Sequence, residues 1–112
     1  YDKNDPVFDP PISTFEPTKK EANVPNVNTI PGDDIFYLDC RILPDYTIEQ
    51  VKQSVRTMCN EVEKDFNVKI EFSSDQEEQA APATPVDAPV VKALEQAVKE
   101  VYRINAKPMG IG

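Results

Sequence analysis

"NVNTIPGDDIFYLDCRILP", residues 26–44, is the stretch on which the fold turns. Pro31-Gly32 reads as a tight turn, and the chain that follows alternates from Ile35 to Leu43. Phe36, Leu38, Cys40 and Ile42 fall on one face of an extended backbone, and Tyr37, Asp39 and Arg41 on the other. The pattern predicts a strand with one buried face. Upstream, "ISTFEPTKKEA" (12–22) carries β-branched and aromatic residues around Pro17, which has no N–H to give a ladder, and so reads as an edge strand.

Downstream, Thr47 and Gln50 have the spacing of a capping box. Ile48, Val51, Val55, Met58, Val62 and Phe66 then recur every three or four residues, predicting an amphipathic helix that ends near Asn67. Val68, Ile70 and Phe72 alternate with Lys69 and Glu71 as a further half-buried strand would, so strand, helix and strand are expected to share one core. Residues 73–89, rich in Ala, Pro and acids, have the composition of a semi-rigid linker. Beyond them Asp87 is placed to cap a second helix with Pro89 in its first turn and an apolar stripe of Val90, Val91, Leu94, Val98, Val101 and Tyr102. That stripe needs a partner: either a core outside these residues, or the sheet if the helix folds back.

Composition narrows the function. The chain has 112 residues and 39% apolar content, enough for one modest core. Twelve basic against 20 acidic residues, net −8, disfavour nucleic acid and anionic membrane as partners, and no apolar run approaches the roughly 18 residues of a membrane span. A cytoplasmic location is expected, with Cys40 and Cys59 as buried, reduced thiols. The start at Tyr1 and the short tail "KPMGIG" are read as the ends of a fragment.

Chemistry is mostly excluded. With no histidine, neither a typical zinc site nor a Ser-His or Cys-His nucleophile can be assembled, and three glycines leave no phosphate-cradling loop. Asp33-Asp34 and Glu77-Glu78 lack the spaced oxygens of a calcium loop and read as solvated charge. No catalytic or metal-binding residue is therefore expected. Asp39 and Arg41, two apart, project from one strand face, where Arg41 either grips a carboxylate bidentately or pairs with Asp39 as a surface salt bridge.

Asn28, Ile30, Pro31 and Gly32, followed in register by Asp39, Arg41 and Pro44, resemble the turn and strand of the lid, or dimerisation, domain in the zinc-dependent aminoacylases and carboxypeptidases that include acetylornithine deacetylase and succinyl-diaminopimelate desuccinylase. "TPVDAPVVKALEQAV" (84–98) and the closing "GIG" resemble the segment by which that family's chain returns to its catalytic domain. The resemblance implies an α+β fold: residues 1–78 as the later part of a ferredoxin-like lid, 79–89 as linker, and 90–112 as one helix and the start of a strand of a catalytic α/β domain. It implies a parent that hydrolyses N-acyl amino acids or peptides with zinc or cobalt held by residues outside this chain, and a homodimer formed through the lid. It also implies substrate contacts from Asn28, which otherwise braces the turn, and Arg41, with Asp39, Pro31 and Gly32 as structural support. The alternative is a freestanding α+β binding or regulatory module, from which the length of the complete gene product would distinguish it.

Overall fold

The computed structural model describes residues 2–111. Strand β1 (Thr14–Lys20) runs antiparallel to β2 (Phe36–Arg41), and two helices follow, α1 (Ile48–Phe66) and α2 (Pro89–Tyr102). The architecture is α+β. Thr14 stands opposite Arg41, Phe15 opposite Cys40 and Pro17 opposite Leu38; the register then slips, so that Lys19 meets Tyr37 and Lys20 meets Phe36. The slip falls beside Pro17, where a residue without an N–H costs the ladder least.

Helix α1 starts where the capping box requires. Gln50 N donates to Thr47 Oγ1 at 3.2 Å, and Thr47 N donates to Gln50 Oε1 at 2.9 Å. It stops at Asn67, left-handed at φ 51°. Helix α2 has Pro89 at its start, but its N-cap is Ala88 and no side chain caps it. The expected Asp87 cap is thus corrected: Ala88 N donates to Pro85 O at 2.9 Å, and that turn places Ala88, one residue later, at the helix boundary.

The radius of gyration is 20.5 Å, against about 13 Å for a compact chain of this length. No single core is closed. Leu43 and Val51 are the buried apolar side chains among the described residues, whereas Phe36, Leu38, Met58 and Phe66 are exposed. The expectation of one core shared by strand, helix and strand is therefore corrected. α1 does not lie on the β1–β2 sheet, so the face of Phe36, Leu38 and Cys40 is uncovered, and Cys40 is exposed rather than buried. Cys59 is half-buried, and both thiols are free.

Residues 68–72 form no strand. At Ile70 two side chains of α1 stand where ladder partners would: Ile70 N donates to Glu63 Oε1 at 2.6 Å, and Arg56 Nη1 donates to Ile70 O at 3.0 Å. Arg56 and Glu63, two turns apart on one helix face, also bond each other at 2.9 Å, and the guanidinium lies 5.7 Å from the centre of the Phe72 ring. The chain then runs back along α1. Lys52 Nζ pairs with Glu77 at 3.1 Å, and the Gln79 amide closes on the helix start, accepting from Ile48 N at 2.9 Å and donating to Tyr46 O at 3.1 Å. The first part of the expected linker is thus laid on α1 rather than free of it.

The two ends of the described chain also meet. Gly110 N donates to Val7 O at 2.7 Å in a parallel bridge between Phe8 and Gly110. A Cβ on Gly110 would come within 2.7 Å of the Phe8 ring.

Two outcomes follow. Gly110→Ala should push the Phe8 ring aside and cost about 1–3 kcal/mol, measured by denaturant unfolding, with the loss largely recovered when Phe8→Ala is added. Glu63 is held below the ordinary carboxylate range first by the Ile70 N–H and then by Arg56. A depressed pKa means the contact is fully present above the ordinary carboxylate pKa and is lost as pH falls through the lowered value. The Ile70 amide resonance should therefore titrate below about pH 4.5, and Glu63→Gln should abolish that titration.

Candidate functional site

The antiparallel register decides which side chains of the hairpin share a face. Thr14, Glu16 and Lys19 of β1 lie with Arg41, Asp39 and Tyr37 of β2 on the polar side, and Phe15 and Pro17 lie with Cys40 and Leu38 on the apolar side. The expected division of β2 into two faces holds. On the polar side Arg41 Nε donates to Asp39 Oδ2 at 2.7 Å, and Glu16 stands opposite Asp39. Asp39 engages the Nε edge of the guanidinium, and the two Nη nitrogens have no partner among the described residues. The pair is exposed, so its electrostatic gain is small, but it fixes the direction of the fork.

At the far end of the ladder the charges are arranged otherwise. Lys19 pairs with Glu21 at 2.6 Å and lies 4.8 Å from the centre of the Tyr37 ring, while Lys20 pairs with Asp34 at 2.8 Å. Those lysine contacts hold both Glu21 and Asp34 below the ordinary carboxylate range. Asn23 Nδ2 adds a 3.2 Å bond to Asp34, and Glu21 N donates to Ile35 O at 2.9 Å, extending the hairpin by one pair. On the apolar side, partial desolvation, and then the Asp39 charge, push the Cys40 thiol up, away from the reactive thiolate.

Asn28 lies in the connection between the strands, which leaves the ladder at its Lys20–Phe36 end. Arg41 closes the opposite end, about 17 Å along the strand. The two sequence-derived contact residues thus belong to different parts of the hairpin, the connection and the closing end of β2. The tight turn is not at Pro31-Gly32: it lies at Asn26–Thr29, where Thr29 N donates to Asn26 O at 3.4 Å. Gly32 has no positive φ and open space where a Cβ would stand. Sequence reading missed the Arg56–Glu63 brace and the Gln79 clasp. The seven-residue spacing of Arg56 and Glu63 was a legible signal that they share a helix face, but no local pattern marks Gln79.

The chain matches the family described as the peptidase dimerisation domain over residues 1–67. It belongs to that family. This dimerisation-domain chain is 34% identical to an uncharacterized metallohydrolase of Methanococcus maripaludis, over all of its own length and 30% of the relative's. It is 35% identical to an uncharacterized metallohydrolase of Methanocaldococcus jannaschii, again over its whole length and 29% of the relative's. It thus spans under a third of the relatives it matches. No solved structure matches it. Among its described residues no three His, Cys, Asp or Glu side chains come together to hold a metal, so the residues present do not fit a metal centre.

Gly32→Ala should leave stability within about 0.5 kcal/mol of the starting chain or raise it slightly, because nothing in the folded geometry requires glycine there. A thermal or urea melt with a loss above about 1.5 kcal/mol would restore the turn to Pro31-Gly32.

Proposed function

We propose that the chain is the dimerisation and lid portion of a metal-dependent hydrolase of linear amides, acting on N-acyl amino acids or peptides. The observation that carries the reading is membership of the peptidase dimerisation domain family together with metallohydrolase relatives more than three times its length. The metal, zinc or cobalt, would be held by parts of the parent outside these residues. In this reading residues 1–78 belong to a ferredoxin-like lid, residues 79–89 are the connection, and α2 with the tail belongs to the catalytic domain. The parent forms a homodimer through the lid. An exposed apolar sheet face and the absence of further strands beside β1 and β2 among the described residues leave surface for that association.

The chemical contribution of this chain is a carboxylate grip. Asp39 orients the Arg41 side chain by its Nε edge, and the two Nη nitrogens remain to take a substrate carboxylate bidentately. Binding of this kind fixes the substrate's position as the lid closes, which is where positioning contributes to rate. Asn28, in the connection between the strands, would meet a substrate amide.

Arg41→Lys in the full-length parent keeps the charge and loses the fork. It should lower kcat/KM by about ten- to a thousand-fold while leaving the melting temperature close to that of the parent. If turnover is unchanged and Asp39→Asn and Arg41→Lys instead show strong coupling in stability, Arg41 is a sheet-pairing residue and the grip is lost from the reading.

A further inference from the structure

Between α1 and α2 lie residues 67–88, and the structure divides them into two unlike parts. Residues 70–79 are tied to one stripe of α1 at three levels. Ile70 is held through both backbone groups by Glu63 and Arg56, Glu77 is held by Lys52, and Gln79 is held at the first turn by Ile48 N and Tyr46 O. Ile48, Lys52 and Arg56 are four residues apart in turn, so their attachment points form a row along the helix. The last tie is the most directional. The first N–H groups of a helix have no intrahelical partner, and here the Gln79 amide supplies one for Ile48 while its NH2 end takes the carbonyl of Tyr46. Past Gln79, among the described residues, the ties to α1 stop; the turn from Pro85 to Ala88 is local.

We propose that residues 70–79 are a strap whose clasp is Gln79, and that the strap sets the length of free chain between α1 and α2. Clasped, the joint is residues 80–88 and reaches about 30 Å when extended; with the clasp and the Glu77 tie open, residues 73–88 are released and the reach becomes about 55 Å. Opening both ties therefore nearly doubles the length of free chain between α1 and α2, within the limit set by the bridge of Gly110 to Phe8. The incoming chain shares the same corner: Lys3 N donates to Tyr46 Oη at 3.0 Å, and Lys3 Nζ donates to Asp45 O at 3.1 Å. The segments before and after the hairpin and α1 are both anchored on Asp45-Tyr46, so a change at the clasp is felt by both.

The test is backbone 15N relaxation on the chain, unmodified and as Gln79→Ala. In the unmodified chain order parameters should stay near 0.85 through 70–79 and fall below about 0.6 across 80–88. In Gln79→Ala the low values should extend back to residue 78, and to residue 73 when Glu77→Ala is added; Ile48 N–H should exchange with solvent about tenfold faster, while amides in the middle of α1 keep their protection. Gln79→Glu, which retains an acceptor for Ile48 N, should keep most of that protection. Residues 70–79 as mobile as 80–88 in the unmodified chain would overturn the strap, and an unchanged profile in Gln79→Ala would overturn Gln79 as its clasp. Should Gln79→Ala unfold the chain, the unmodified profile and Gln79→Glu decide it.

Discussion

The register of β1 against β2 is the constraint from which the hairpin's chemistry follows. Because opposite residues of an antiparallel pair share a face, the pairing of Thr14 with Arg41 fixes the sides on which the residues as far as Pro17 fall. The slip beside Pro17 brings Lys19, rather than Thr18, opposite Tyr37. Without it Lys19 would point to the apolar side, and the contact between its ammonium and the Tyr37 ring could not form. One proline therefore shapes both the edge of the sheet and the charge pattern of its polar face.

The structure is held by polar ties more than by a core. Leu43 and Val51 are the buried apolar pair among the described residues, and around them side chains substitute for backbone partners: Ser13 Oγ for Leu43 N, Glu63 and Arg56 for Ile70, and Gln79 for Ile48. Such ties are directional and individually modest, and they define where a segment lies without burying much surface. An elongated outline of 64 × 30 × 21 Å is the result.

What could be read from the sequence was what is decided locally. The capping box at Thr47 and Gln50, the end of α1 at Asn67, Pro89 at the start of α2 and the two faces of β2 depend on neighbours a few residues away, and all appear as the spacing predicts. Features that failed depend on distant partners. Val68, Ile70 and Phe72 alternate as a strand does, but alternation specifies a half-buried extended chain and not what satisfies its backbone, and Arg56 and Glu63 do so here. Cys40 lies on the face that alternation gives it, yet whether that face is covered depends on where α1 lies, which periodicity does not encode. The Arg41–Asp39 pair was legible as one of two alternatives, because residues two apart share a strand face; the place of Asn28 was not, because the path of a fifteen-residue connection is not written in its composition.

The bridge between Phe8 and Gly110 gives the chain a mechanical property. A body joined to its surroundings by one extended strand can spin about that strand with little resistance. Joined by two segments bonded to each other at one bridge, it can still swing, but rotation about the connection must strain the hydrogen bond from Gly110 N to Val7 O and move the Phe8 ring out of the space that glycine leaves for it. The bridge thus opposes twist of the two segments about each other more than it opposes their bending together.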